Sequence, residues 1–363
     1  MRELRVSIAA ITTVLICLGI IMIFSSSGIY ALQELGSSTY FLQRHLVYLC
    51  VGFIFMMFAM TIDYRVLAQY SKPILIFSIV MLVLVLIPGV GKEVYGARRW
   101  FRFLGFGFQP SEFAKLAVLI YASDFLARKQ KRITSLFSGF IPLMCVLGVV
   151  SLLILKQPDL GTTALISAVV LVMLFIAGTR IAFLASIAFL SFPAIYYLIA
   201  RVPYRLRRIQ AFLDPWSDKQ GAGFQLVQSQ IALGSGGIFG LGLGKSMQKL
   251  FYLPAAHTDF ILSIIGEELG LLGTATVVLL FVLFIWQGAR IAKRTQEPFG
   301  YFLAIGIVAM IGLQAIVNIG VSIGAFPTKG LPLPFISYGG SALIVQMVCV
   351  GLLLNISRIQ DLS

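Results

Sequence analysis

Ten mostly apolar runs of roughly 17 to 25 residues divide the chain, near 6–28, 45–62, 72–88, 111–127, 138–155, 160–178, 181–199, 260–289, 299–322 and 338–357. Each is long enough to cross the hydrocarbon of a bilayer as a helix, since a helix rises about 1.5 Å per residue. The sixth and seventh runs are parted only by the break at Gly178, Thr179 and Arg180. The pattern predicts an all-α integral membrane protein of about ten transmembrane helices, forming one polytopic domain over 1–363 with both termini on the same side. Its one long loop, 200–258, lies between the seventh and eighth spans.

Composition excludes a soluble alternative. The chain is 59% hydrophobic and only 12% charged, and no separate polar domain is left over, because even 200–258 carries Leu, Ile, Phe and Gly throughout. The first run, from Val6 to Phe24, is longer than a signal-peptide core and ends in Ser25, Ser26, Ser27 and Gly28 without a small-x-small cleavage site, so it is expected to remain as the first span. Cys17, Cys50, Cys145 and Cys349 each lie inside an apolar run without paired spacing or a neighbouring histidine. They read as packing residues rather than a disulfide or zinc framework.

Orientation follows from the cations in the short connections. Arg2 and Arg5, Arg65 with Lys72, the cluster from Arg128 to Arg132, Arg180, the trio Arg290, Lys293 and Arg294, and Arg358 all fall on one side, which should be the cytoplasm. The other fifteen of the 28 Lys and Arg lie at or beyond the opposite face, notably Lys92, Arg98, Arg99 and Arg102 in one loop, and Arg201, Arg205, Arg207, Arg208, Lys219, Lys245 and Lys249 in the long one. Positive charge there opposes the insertion preference. Two readings account for it: an anionic ligand such as a phosphate or diphosphate, or the indifference of long translocated loops to charge.

The long loop has its own pattern. In Tyr204 to Leu213, Leu206, Ile209 and Leu213 share one face and Arg205 and Arg208 another, as in a helix lying among lipid headgroups, and Asp214 and Pro215 end it. Gly223 to Leu233 sets Phe224, Val227 and Ile231 against Gln225, Gln228 and Ser229, which predicts a second interfacial helix without charge. Six glycines between Gly234 and Gly244 follow. A phosphate-binding loop would need glycine where Phe239 stands and a strand before it, so close backbone packing or a hinge is expected instead.

The stretch Ala255 to Gly270 then places His257, Asp259, Glu267 and Glu268 at the mouth of the eighth apolar run. If Phe260 to Ile291 is one helix, Ser263, Gly266, Gly270 and Gly273 fall within about 40° of Asp259 and make a stripe of small residues, suited to a cavity floor or a close helix contact. Glu267 then lies about 80° to one side and Glu268 on the opposite face, so of the two only Glu267 could share a site with Asp259. A carboxylate at a membrane boundary is costly to keep and points to function, whereas Thr258 and Asp259 are also acceptable helix caps.

Other polar groups fall on the same side. Gln109 to Glu112 opens the fourth helix as a cap, with Glu112 and Lys115 spaced as an ion pair; Asp159, after Lys156, Gln157 and Pro158, is placed to cap the sixth. Pro327 to Ser341 holds three prolines and cannot be an ordinary helix, yet it re-enters the bilayer at Tyr338, so it must be buried in protein or line a wet cavity.

An acidic group facing an outer cavity, cations able to hold a diphosphate, and helices along the headgroups fit glycosyl transfer from a diphosphate lipid. That reaction needs a base for the acceptor hydroxyl and positive charge for the leaving group, and one carboxylate suffices for a single inverting displacement. A transporter or flippase would put its acidic groups near the midplane of related halves, and a scaffold would not need the outer arginines.

Several separated segments also carry a resemblance: RRWFRFLGFGFQPSEFAK, KQPDLGTT, RIQAFLDPWSDKQGAGFQLVQSQIALGSGGIFGLGLGKSMQKLFYLPAAHTDFILSIIGEELGLLG and LPLPFISYGGSAL. In that order they are similar to the shape, elongation, division and sporulation family of FtsW, RodA and SpoVE. The resemblance implies a ten-helix peptidoglycan glycosyltransferase that polymerises lipid II on the outer face of the bacterial cytoplasmic membrane with a class B penicillin-binding protein. It implies Asp259 as catalytic base, and Arg98, Arg99, Trp100, Glu112, Lys115, Lys156, Asp159 and Ser337 as cavity or support residues. With Arg208, His257 and Glu267 these make the candidate substrate-binding set. The run Ser246 to Pro254, with Gly266 to Gly273 after it, resembles the division branch, which implies the septum and other division proteins as partners; Ala255 departs from that branch's usual glutamate, and the elongation-type paralogue and a lipid II flippase are the alternatives. No cofactor is required by this reading, a divalent cation such as Mg or Mn is left open, and no nucleic-acid partner is expected.

Overall fold

The computed structural model describes residues 1–94, 96–103, 106–201, 203–218, 221, 223–250, 253 and 256–361. All ten apolar runs are helical. In chain order the elements are α1 (Arg2–Leu35), α2 (Tyr40–Thr61), α3 (Arg65–Gln69), α4 (Ser71–Leu84), β1 (Lys92–Val94), β2 (Ala97–Phe103), β3 (Phe106–Phe108), α5 (Pro110–Lys129), α6 (Ile141–Lys156), α7 (Leu160–Ile176), α8 (Ile181–Ala200), α9 (Pro203–Leu213), α10 (Phe224–Ser235), α11 (Ile261–Arg294), α12 (Pro298–Ser322) and α13 (Ser341–Ile359). Among the described residues six are long and apolar enough to cross a membrane: α1, α2, α6 with its lead-in turn, α11, α12 and α13. α4, α7 and the first part of α8 are apolar but shorter.

Burial separates the helices by role. α12 and α13 are buried along most of their length, whereas α2 and the later part of α11 present most of their apolar surface outward. A helix that is apolar all round and exposed is one whose solvent is lipid. α13 packs on α2, and α12 lies among α11, α5 and α7. α5 carries Glu112, Lys115 and Asp124 inside its length, all buried. These charges are tolerated because they are paired: Lys115 Nζ lies 2.7 Å from Glu112, and Arg128 donates through Nε and Nη2 to Asp124 at 2.8 and 2.7 Å.

The loop expected around Arg98 is a three-stranded antiparallel sheet, β1-β2-β3, with Lys92 opposite Trp100 and Phe101 opposite Phe108. Phe101 and Phe103 in β2, and Phe106 and Phe108 in β3, stand two residues apart, the period of a strand.

The helix that was to run unbroken from 260 is broken. Gly270 sits at φ 69° and ψ −164°, outside helical space and open to glycine but not to residues with a Cβ. A break inside a buried helix strands four backbone groups, and the glycine-rich segment after α10 satisfies them: Leu241 and Gly242 donate to the carbonyls of Glu267 and Glu268 at 2.9 and 3.0 Å, and Leu271 and Leu272 donate to Gly237 and Ile238 at 2.9 and 3.2 Å. The approach is close enough that a Cβ on Gly240 would fall 2.2 Å from the Glu268 carbonyl oxygen. Of the two roles open to the small-residue stripe, Gly266 and Gly270 take that of close contact. Ser263 adds a 2.6 Å hydrogen bond to Ser229.

α10 is not a freely exposed surface helix. It packs on α11 and α12, and its most buried polar side chain, Ser229, belongs to the face assigned to the surface; its hydroxyl also donates to the Ser322 carbonyl at 2.7 Å. Ile231, assigned to the packed face, is exposed. α9 keeps its expected character, with Leu206 and Leu213 exposed on the outside of the bundle. All four cysteines are free; Cys349 is packed in the core, while Cys17, Cys50 and Cys145 face outward, so only one of the four is a core residue. Lys219 and Ala255 lie outside the described residues, as does the side chain of Arg205.

Candidate active site around Asp259

Asp259 stands in the turn 256–260 just ahead of α11, and it does not cap the helix. The capping position belongs to Phe260, and no side chain there accepts a helix N–H. The carboxylate turns instead toward the irregular segment between α12 and α13, where a Cβ built on Gly330 would lie 3.3 Å from Asp259 Oδ2. Glycine at 330 lets the chain pass beside the acid. Two backbone ties join these segments: the Tyr338 N–H donates to the His257 carbonyl at 3.0 Å, and Asn318 Nδ2 donates to the carbonyls of both Asp259 and Leu331, at 2.9 and 2.8 Å.

The same segment brings positive charge. Arg208 of α9 donates through Nη1 to the Thr328 carbonyl at 3.1 Å, and Lys329 follows next in the chain. Burial pushes the Asp259 carboxyl up to about 7, against the opposing pull of the Arg208 guanidinium. Burial likewise lowers the Lys329 ammonium, with Asp159 drawing it back up. His257 is enclosed by aromatic rings, with Phe41 at 4.5 Å and Tyr30 and Tyr338 both at 6.0 Å; burial lowers it to about 4, so the ring is neutral at pH 7. Asp259 is thus a buried acid whose pKa lies near neutrality, within the field of the Arg208 guanidinium.

Of the other candidates, Asp159 and Arg99 lie at the turn before α7, while others face away. Asp159 caps α7: Oδ1 accepts from the Thr162 N–H at 3.0 Å and Oδ2 from the Thr162 hydroxyl at 2.9 Å. Arg99 ties the sheet to the turn before α7, donating to the carbonyls of Gln157 and Pro158 at 2.7 Å each. Arg98 turns outward to Glu93 at 3.1 Å, the Trp100 ring packs over Gly107, and Lys156 is exposed at the end of α6. Gln109 does not cap α5 with its side chain; its amide reaches Asp159 Oδ2 at 3.4 Å. Ser337 Oγ accepts from the Leu333 N–H at 2.8 Å and shapes the turn there.

Glu267 and Glu268 are not beside Asp259. Because Asp259 lies before the helix, the angular argument that paired it with Glu267 and put Glu268 on the opposite face does not apply. Both carboxylates are buried and grip the segment 246–249: Glu267 accepts from the Met247 N–H at 2.8 Å and from the Ser246 hydroxyl, and Glu268 pairs with Lys249 Nζ at 2.9 Å. Residues left out of the candidate set are Lys329, Asn318 and Gln314. Their signal was present, since Gln314 and Asn318 are polar, inside an apolar run, and four residues apart on one helix face.

Among the described residues no three His, Cys, Asp or Glu side chains converge to hold a metal ion. Asp259 is one carboxylate beside a guanidinium, and Mg or Mn would need several oxygen donors. The residues present do not fit a resident divalent cation.

The architecture defines a polytopic helical membrane protein whose acidic site is assembled from loops at one end of the bundle. Residues 5–362 match the family described as cell cycle protein, which groups FtsW, RodA and SpoVE, and the chain belongs to that family. It is 48% identical over 343 residues to the probable peptidoglycan glycosyltransferase FtsW of Geobacter sulfurreducens (strain DL-1 / KN400), covering 94% of this chain and 92% of that one. Stage V sporulation protein E of Bacillus subtilis (strain 168) is 44% identical over 348 residues, covering 96% and 95%. Among solved structures, one concerned with coordinated polymerization and crosslinking by a peptidoglycan synthase complex aligns with a TM-score of 0.80 at 27% identity, covering 100% of this chain and 99% of the other. Rod shape determining protein RodA of Thermus thermophilus aligns at 0.72 and 26% identity, covering 97% and 96%.

Proposed function

We propose that this protein is a peptidoglycan glycosyltransferase that polymerises lipid II on the outer face of the bacterial cytoplasmic membrane, with Asp259 as general base. The observation that carries the reading is a buried carboxylate pushed up to about 7, set against Gly330 on a segment that carries Lys329 and to which Arg208 of α9 is tied through the Thr328 carbonyl. A base works best when its pKa lies near the working pH, and a departing diphosphate needs cations where its charge develops. In the reaction the acceptor sugar hydroxyl attacks the anomeric carbon of the donor. The bond from that carbon to the diphosphate oxygen breaks, the hydroxyl proton passes to Asp259, and the lipid diphosphate leaves toward Arg208 and Lys329. One displacement inverts the anomeric centre; Glu267 and Glu268 are committed to the segment 246–249 and Asp159 to the cap of α7, so Asp259 acts alone.

The names carried by the FtsW relatives favour the division role, and with it the septum, a class B penicillin-binding protein and other division proteins as partners. The alignment with a structure of a synthase complex supports such a transpeptidase partner.

The test is Asp259→Asn, assayed as glycan polymer formed from lipid II by purified protein with its partner. The amide keeps the side chain's size and cannot take a proton, so the variant should fold and bind lipid II while polymerisation falls by about 10²–10⁴-fold. Polymerisation at the wild-type rate would remove Asp259 from the base role, and a wild type that moves lipid II across vesicles without polymerising it would make the protein a flippase.

A further inference from the structure

A chain of buried polar contacts runs from α5 through α12 to both segments that hold Asp259. Lys115 Nζ, bound to Glu112 at 2.7 Å, donates to Gln314 Oε1 at 3.1 Å. Gln314 Nε2 donates in turn to the Pro332 carbonyl at 2.8 Å. One helical turn further on, Asn318 Nδ2 divides its two hydrogens between the Asp259 carbonyl at 2.9 Å and the Leu331 carbonyl at 2.8 Å. Gln314, Asn318, Lys115 and Glu112 are all buried.

The geometry is specific about roles. Residues 256–260 and 327–340 have no regular secondary structure of their own, so a hydrogen-bonded frame must set their register. An amide side chain suits this task because it accepts with one end and donates with the other: Gln314 accepts a hydrogen bond from a lysine and donates one to a backbone carbonyl, which neither a carboxylate nor an ammonium can do. Asn318 joins the two segments directly, holding the backbone of Asp259 and of Leu331 on one nitrogen. Its Oδ1 is buried without a protein partner.

We propose that Gln314 and Asn318 are positioning residues for the reaction: anchored by the buried Lys115–Glu112 pair, they hold the backbone of Asp259 in register with the segment that carries Lys329 and Gly330. The assignment rests on Asp259 being the base. It also explains why a buried ion pair in α5, remote from the acid in sequence, belongs to the same site: its lysine supplies the fixed donor from which the chain of amides starts.

Gln314→Met and Asn318→Leu keep volume and remove the hydrogen bonds. Each should lower kcat for lipid II polymerisation by about 10–100-fold, because small misplacement of a reacting group costs that much, while KM stays within about threefold, since the cations that hold the diphosphate remain. Hydrogen exchange of 328–338 should rise in both variants while exchange in α12 and α13 is unchanged. If Asn318→Leu, which orphans two carbonyls, does not fold, Gln314→Met, which frees only one, decides the matter. Wild-type kcat together with wild-type exchange of 328–338 in Gln314→Met would overturn the proposal. A fall in kcat with exchange raised throughout the molecule would do the same, by making the residues merely structural. Loss of polymerisation by the wild type itself would fail the glycosyltransferase reading, and the exchange measurement would still judge the frame.

Discussion

The pair Glu268–Lys249 offers the most direct measure of how the segment after the glycine-rich loop is held to α11. Lys249 Nζ lies 2.9 Å from Glu268 Oε1, with side-chain exposures of 4% and 0%, and the Ser25 hydroxyl of α1 is 2.7 Å from both carboxylate oxygens. Glu268→Gln keeps the shape and an acceptor for Ser25 but leaves an ammonium buried with no counter-charge. Breaking a buried pair from one side costs about 3–5 kcal/mol, and the retained amide oxygen puts the expected loss near the lower end, about 3 kcal/mol. The double variant Glu268→Gln with Lys249→Met removes the stranded charge and should recover most of that, because well-packed apolar replacements of buried pairs are often neutral. Thermal unfolding of the four proteins in detergent, followed by size exclusion, closes the cycle. A single variant within about 0.5 kcal/mol of wild type, the range of ordinary surface changes, would refute the view that this pair secures the segment.

Two further outcomes follow from the site and the charge pattern. Asp259 must be ionised to accept a proton, and its carboxyl is pushed up to about 7. Polymerisation should therefore rise with pH through about 7 and level off above it, with roughly a tenth of the maximal rate one unit below, and the residual activity of Asp259→Asn should lack that limb; a wild-type rate that is flat from about pH 5.5 to 8 would place the ionisation elsewhere. Cysteines at Ser217 and Thr134, introduced after the outward-facing native cysteines are replaced, should be labelled by an impermeant reagent from opposite sides of the membrane, Ser217 from outside. Labelling of Thr134 from outside would invert the orientation.

The sequence alone determined the membrane class and the ten helical runs, and it singled out the candidate acid. Apolar length and the sign of loop charges are properties of short stretches, and they need no contact between distant residues to be read. Asp259 could be singled out for the same reason, since an acid at the mouth of an apolar run is conspicuous wherever the chain goes next. Asp159 as a cap and Glu112 with Lys115 as a pair were legible because both depend on spacings of three residues.

The tertiary structure decided what each polar group faces. A periodicity argument extends a helix through Gly270, because nothing local to that residue announces that the glycines at 237–242 will take over its broken hydrogen bonds. Once the helix is broken and Asp259 lies before it, angles around the helix axis no longer relate the acid to Glu267, and the two glutamates are free to bind the segment at 246–249. Ser229 shows the same limit. A serine reads as surface until Ser263 and the Ser322 carbonyl are brought to it. Gln314 and Asn318 join the site only because α12 and the segment after it fold back against residues 256–260. Their role comes from hydrogen bonds across 13 to 199 positions of sequence, a range over which spacing along the chain carries no geometry.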